Sequence, residues 1–267
     1  MRDILEEIVA YKRKLVQTQK KRLIPDELYA RVERQMADGL YTDYSMRTAL
    51  AKSPSGIIAE FKRKSPSKGW INPDASSSVV PLSYEKAGAS AISILTDAWY
   101  FGGSPNFIRN ARRSGVQCPI LRKDFIIDEY QVFQARDMGA NAILLIAACL
   151  TKEECKHLAS VAHQLKLETL LEVHSEPELE YVGGNIDMVG VNNRNLGTFH
   201  TDVNNSFRLA QLLPKNHLLV SESGISNPNT VRLLRQNGFR GFLIGETFMK
   251  TANPAETLSQ FIKNITA

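Results

Sequence analysis

Eight short apolar, β-rich runs recur along the chain, and segments of helical patterning fill the intervals between them. The runs are the first residues of the stretch Ile57–Gly69, then Ala91–Asp97, Pro119–Phe125, Ala142–Ala148, Glu168–His174, Met188–Asn193, Leu218–Gly224 and Gly241–Gly245, starting about 20 to 35 residues apart. Asp128–Met138 interleaves Tyr130, Val132, Phe133 and Ala135 with charged residues. Thr151–Leu167 opens on a Thr-x-x-Glu capping box (Thr151, Glu154) and carries Leu158, Val161, Ala162 and Leu165 at helical spacing. Asn227-Pro228 and Asn253-Pro254 each read as a helix start. Eight strands alternating with helices predict a parallel sheet closed on itself, the (β/α)₈ or TIM barrel of the α/β class. The rival, an open doubly wound sheet, would normally carry a glycine-rich fingerprint after its first strand, and none is present.

One barrel of about 220 residues plus an N-terminal extension uses up the length, so a single domain over 1–267 is expected, with the extension at 1–50 and the barrel at 56–267. At 43% hydrophobic and 23% charged, the composition is that of a globular protein with a substantial core. The apolar run Ala142–Leu150 is too short to cross a bilayer, and Met1-Arg2-Asp3 leads into no signal-like segment, so a cytoplasmic location is the default. Three cysteines (Cys118, Cys149, Cys155) form no C-x-x-C pair, and Cys149, at a strand end, reads as structural. The five histidines fall into no metal-ligand spacing, so no metal is inferred. A net charge of +5 without an aromatic-interleaved basic stripe points to a small anionic molecule rather than nucleic acid.

Ile4, Leu5, Ile8, Val9 and Leu15 recur at helical intervals in the extension, and a shorter helix is expected over Pro25–Ala37. The basic clusters Lys12-Arg13-Lys14 and Lys20-Lys21-Arg22 read as solvated faces, and the extension is placed to cover one end of the barrel.

Barrel enzymes carry their chemistry at the C-terminal ends of the strands. Alternation puts Ile58, Glu60 and Lys62 on one face of the first strand, where carboxylate and ammonium can pair. The same count aligns Leu121, Lys123 and Phe125; Leu170, Glu172 and His174; Gly190, Asn192 and Arg194; and Val220, Glu222 and Gly224. If these faces point inward, Glu60, Lys62, Lys123, Glu172, Asn192, Arg194 and Glu222 meet at the barrel mouth. Buried charges must be paired or change their protonation, and two lysines with several carboxylates supply acid–base chemistry without a cofactor. Glu60 and Glu222 also fit purely structural ion pairs. Ser65, Ser67, Lys68 and Gly69 suit a phosphate or a closing loop, and equally a solvated basic loop. Ser223, Gly224, Gly245 and Glu246 follow the last two strands, the usual phosphate site of this fold, although each glycine alone fits a plain turn.

Seven ordered motifs carry a resemblance to indole-3-glycerol phosphate synthase. They are Glu60-Phe-Lys-Arg-Lys-Ser-Pro-Ser-Lys-Gly69, Leu95-Thr-Asp with Tyr100-Phe-Gly-Gly-Ser104, Arg122-Lys-Asp-Phe-Ile-Ile-Asp128, Leu171-Glu-Val-His174, Gly190-Val-Asn-Asn-Arg194, Ser221-Glu-Ser-Gly-Ile225 and Phe242-Leu-Ile-Gly245. The resemblance implies a TIM barrel of tryptophan biosynthesis. Such an enzyme closes 1-(2-carboxyphenylamino)-1-deoxyribulose 5-phosphate into indole-3-glycerol phosphate with loss of CO₂ and water. It implies Lys123 as general acid, with a pKa lowered by a crowded cationic site, and Glu172 as general base. Lys62, oriented by Glu60, holds the substrate carboxylate, donates a second proton, or does both. Asn192 and Arg194 are implied for carboxylate and hydroxyls, Glu222 for a hydroxyl or a lysine, and Ser65, Ser223, Gly224, Gly245 and Glu246 for phosphate. Phe101 and Phe125 stack on the aromatic ring or simply pack the core. Neither cofactor, nucleic acid nor membrane is implied; the partners are the phosphosugar substrate and other tryptophan-pathway enzymes.

The chain departs from the family pattern in places. Asn195 stands where Asp is usual, removing a charge beside Arg194. Ala98-Trp99 replaces a commonly charged pair on the loop surface, the fifth helix is stunted between Glu176 and Asn185, and Glu246 stands where serine is also common. Two other readings stay open: a phosphoribosylanthranilate isomerase, which would use a Cys/Asp pair, and a non-catalytic phosphosugar-binding barrel. No fused isomerase domain is expected after the last helix.

Overall fold

The computed structural model describes residues 4–41, 43–195 and 197–266; the reading of Met1-Arg2-Asp3 lies outside them. Eight parallel strands close into a barrel: β1 (Ile57–Phe61), β2 (Ala91–Leu95), β3 (Ile120–Lys123), β4 (Ala142–Ile146), β5 (Glu168–Val173), β6 (Met188–Asn192), β7 (Leu218–Glu222) and β8 (Phe239–Ile244). Closure is made by β8 against β1, with Ile57 opposite Phe242 and Ala59 opposite Ile244. Helices cover the outside, so β1, β2, β4, β6 and β7 are buried along their whole length and their sequences run apolar rather than alternating.

The side-chain period sorts the strands into two cores. Ile58, Leu121, Leu144, Leu170, Met188, Val220 and Leu243 pack together inside the barrel. Ile57, Ala59, Phe61, Ile92, Ile143 and Leu171 face out onto the helices. The inward parity is the one that carries Glu60, Lys123, Glu172, Asn192 and Glu222 at the upper ends of their strands.

Local signals place the helices, among which α4 (Val80–Lys86), α6 (Asn106–Arg113) and α9 (Asn204–Ala210) lie on the outside of the barrel. Asp128 caps α7 (Glu129–Met138) by accepting from the Tyr130 N–H, and the Thr151–Glu154 capping box starts α8 (Lys152–Gln164). Asn227 caps α10 (Pro228–Gln236), and Pro254 opens α12 (Pro254–Thr266). The stunted fifth helix is a 3₁₀ segment, Glu176–Tyr181. Ala98 and Trp99 are exposed as expected, but they belong to a single helical turn, α5 (Ala98–Phe101), capped by Asp97, rather than to a loop.

The extension forms α1 (Ile4–Arg22), α2 (Pro25–Ala37) and α3 (Met46–Lys52). It covers both ends of the barrel, not one. Ile4, Leu5 and Ile8 of α1 wall the cavity at the C-terminal mouth. Met46 and Leu50 of α3 plug the opposite end, packing with Ala91, Met188 and Leu218.

The first basic cluster is only partly a solvated face. Arg13 and Lys14 are exposed, but Lys12 is 2% exposed, with its Nζ 2.7 Å from Asp97 Oδ2 and 2.6 Å from Asp124 Oδ1. Lys12 shares the buried helical face with Leu5, Ile8 and Val16, at spacings a helix brings into line. In the second cluster Lys20 pairs with Asp128 at 2.7 Å, while Lys21 and Arg22 are exposed.

Candidate active site

A cavity of about 520 Å³ opens at the C-terminal ends of the strands. Glu60, Lys62, Lys123, Glu172, Asn192, Arg194 and Glu222 all line it. So do Phe101 and Phe125, and the residues expected around phosphate: Ser65, Ser223, Gly224, Gly245 and Glu246.

The acid–base groups lie deepest. Glu172, 2% exposed, receives Lys123 Nζ on Oε2 at 3.0 Å and Asn192 Nδ2 on Oε1 at 3.0 Å. Lys123 Nζ is also 3.6 Å from Glu222 Oε2, and Lys62 Nζ pairs with Glu60 Oε1 at 2.7 Å. Two glycines make room for the carboxylates. A Cβ on Gly190 would collide with Glu222 Oε1, and one on Gly245 would sit 2.5 Å from Glu60 Oε1.

The charge state of Lys123 corrects an expectation. Its surroundings are anionic rather than crowded with cations. Burial alone would lower its pKa, but the carboxylates of Glu172, Glu222 and Glu60 outweigh burial and raise it. Lys123 is therefore a firmly held ammonium in the free site. Burial pushes the Glu172 carboxyl up, yet Lys123 and the His174 ring bring it well below the usual range. Glu222 goes the other way: burial, against the pull of Lys123 and with repulsion from Glu172 and Glu60, pushes it up to about 8. Environment thus separates the two carboxyls, one held ionised and one poised near neutrality.

Arg194 is oriented from two sides. Its Nη1 donates to Ser67 Oγ at 3.0 Å and its Nε to Thr201 Oγ1 at 3.3 Å. Asn195 Oδ1 instead accepts from the Gly197 and Thr198 N–H groups, ahead of Phe199 and Thr201 on the cavity wall. Phe101 and Phe125 lie with ring centroids 6.1 Å apart, both on the cavity wall.

The phosphate candidates come from β1, β8 and β7, which are neighbours in the barrel. Ser65 sits in a two-stranded hairpin (Lys64–Ser65 with Gly69–Trp70) after β1. Ser223 and Gly224, with φ of 68° and 75°, turn the chain sharply after β7. Lys68 and Lys250 add positive charge to the lining. Lys250 was missed in the sequence because only α11 (Glu246–Met249), a single turn, brings it back from Gly245. Thr201, Phe199 and the α1 residues were missed because long-range folding alone brings them to the cavity.

A sequence profile described as indole-3-glycerol phosphate synthase matches residues 5–261. The chain belongs to the indole-3-glycerol phosphate synthase family. It is 58% identical over 265 residues to indole-3-glycerol phosphate synthase of Bacteroides thetaiotaomicron, covering 99% of this chain and 100% of that protein. The synthase of Neisseria meningitidis serogroup B is 42% identical over 251 residues, covering 94% of this chain and 95% of its own. Among solved structures, the tryptophan synthase alpha subunit of Legionella pneumophila superposes with a TM-score of 0.59 at 13% identity, over 83% of this chain and 96% of that one. That likeness concerns the barrel alone. Family membership sets aside the isomerase and non-catalytic readings. Among the described residues no helix is long and apolar enough to cross a membrane.

Proposed function

We propose that this indole-3-glycerol phosphate synthase, a carboxy-lyase, works by two lysine acids and one glutamate base. The substrate phosphate is held by backbone N–H groups of Gly224, Gly245 and Glu246 and by the hydroxyls of Ser65 and Ser223, in the field of Lys68 and Lys250. Arg194 and Asn192 hold carboxylate and hydroxyl oxygens. Phe101 and Phe125 flank the aromatic ring.

Lys123 gives its proton to the ketone oxygen as the aromatic carbon attacks, forming the ring C–C bond and a tertiary alcohol. The carboxylate, paired with Lys62, leaves as CO₂, and its bonding electrons restore the aromatic ring. Lys62, kept in place by Glu60, then protonates the hydroxyl, which departs as water. Glu172 takes the proton from the adjacent ring carbon to complete the indole. Two protons given and one taken match the single proton that decarboxylation consumes overall.

The observation that carries this reading is the convergence of Lys62, Lys123 and Glu172 on one cavity that also reaches the β7 and β8 loops. A cytoplasmic location, one domain spanning 1–267, and association with other tryptophan-pathway enzymes complete the proposal. The test is the rise in indole fluorescence when the purified protein meets 1-(2-carboxyphenylamino)-1-deoxyribulose 5-phosphate without added metal or cofactor. A rise abolished in Lys123→Ala is the expected outcome. Substrate binding without a rise would overturn the assignment.

A further inference from the structure

His174 is a buried titratable group to which the mechanism above gives no task. It follows β5 on the inward parity of Glu172, yet it is not among the described residues that line the cavity. Its ring stands between two carboxylates. Nε2 is 3.2 Å from Glu172 Oε1, an ion-pair contact off hydrogen-bond alignment, and Nδ1 is 3.4 Å from Glu178 Oε2. A neutral imidazole would turn a lone pair toward one of these acceptors, so the arrangement suits the doubly protonated ring. Glu178 is itself fixed: Oε2 accepts from the His174 backbone N–H at 2.7 Å and Oε1 from Ser175 Oγ at 3.0 Å. Asn205 Nδ2 donates to the His174 and Asn192 carbonyls at 3.0 and 3.2 Å, which ties the ends of β5 and β6 together.

We infer that His174, braced by Glu178, is a positioning residue for Glu172, the cation that remains beside it when Lys123 gives up its proton. The inference rests on the proposed roles of Lys123 and Glu172. In the free site Glu172 has two cationic neighbours. Once Lys123 becomes a neutral amine, Glu172 would be a deeply buried carboxylate held only by Asn192, were it not for His174. Burial lowers the His174 pKa, but the Glu172 and Glu178 carboxylates raise it to about 10, so its charge persists across the working range. Lys123 and Glu222, from β3 and β7, also face this cluster.

The test compares His174→Asn, which removes the cation, with His174→Arg, which keeps one, and with Glu178→Gln, which leaves β5 intact should the His174 variants fail to fold. Two readouts are taken: the pH profile of kcat, and a ¹³C-carboxyl titration of substrate-free protein with the Glu172 signal assigned by Glu172→Gln. His174→Asn is expected to lower kcat about tenfold or more, with KM little changed, and to move the Glu172 titration and the acid limb of kcat upward by about one unit. His174→Arg should restore them in part, and Glu178→Gln, which loosens the hold on the ring without removing its charge, should lower kcat in smaller measure. An unmoved Glu172 titration in His174→Asn would overturn the inference, as would an unchanged kcat in Glu178→Gln should the His174 variants fail to fold. The titration needs no turnover, so it decides the point even if the wild-type protein forms no indole, an outcome that would sink the catalytic reading instead.

Discussion

Lys12 Nζ on α1 lies 2.6 Å from Asp124 Oδ1, the residue next to the proposed acid Lys123. The same ammonium reaches Asp97, which caps α5, so one side chain ties the N-terminal helix to the ends of β2 and β3. Tyr100, donating to Glu7 at 3.0 Å, and Tyr11, packed edge-on to Tyr100, add to the join.

Lys12→Met keeps the bulk and removes the charge, leaving Asp97 and Asp124 facing each other's field in a dry site. Breaking a buried pair in this way costs about 3–5 kcal/mol, to be read from the midpoint of chemical denaturation. Because α1 walls the cavity with Leu5 and Ile8 but touches no proposed acid or base, KM should rise more than kcat falls. A variant as stable as wild type would show that the latch is ornamental.

The same join predicts an acid limb of stability. Burial would raise the Asp124 carboxyl, but Lys12 and Arg122 bring it down to about 2. A carboxyl held down in the folded state stabilises fully above the ordinary carboxylate pKa near 3.9 and loses that contribution as pH falls toward 2. The loss is of order 2 kcal/mol, and denaturation between pH 5 and 2 measures it. In Asp124→Asn this part of the pH dependence should vanish.

Glu222 predicts the opposite sign. Its carboxyl, pushed up to about 8, stays protonated in the folded protein where the unfolded chain is already ionised, from roughly pH 4.3 upward. Folding stability therefore falls as pH rises through that window. Glu222→Gln, which copies the neutral form, should lose less stability than wild type between pH 6 and 9. It should also flatten any limb near 8 in the pH–rate profile. A wild type whose stability does not change over that range would contradict the assigned charge state.

What was legible in the chain follows from the range of the forces involved. Strand alternation is local, so the inward parity of Glu60, Lys123, Glu172, Asn192 and Glu222 could be counted along each run. Lys12 was also within reach, since it lies on the Leu5, Ile8 and Val16 face, but its basic neighbours disguised it. The charge state of Lys123 was out of reach. It depends on carboxylates arriving from β1, β5 and β7 at separations of a few ångströms, and only the closed barrel sets those. His174 and Glu178 meet because a 3₁₀ turn replaces a full helix after β5, a geometry that the short segment hinted at without specifying.

The two lysines should fail differently. Lys123 begins as a strongly held ammonium and delivers the first proton, so Lys123→Ala should block ring closure, cutting product formation by about 10²–10⁴ with substrate still bound. Lys62, 15% exposed and paired with Glu60, is assigned the carboxylate and then the departing hydroxyl. Lys62→Ala should therefore weaken substrate binding and slow dehydration after CO₂ has left. Rapid-quench single turnovers that follow CO₂ release and indole formation separately would resolve the two steps. In Lys62→Ala, CO₂ release should run ahead of indole; in Lys123→Ala both should be lost together. Identical time courses in the two variants would sink the division of labour and assign both protons to one lysine.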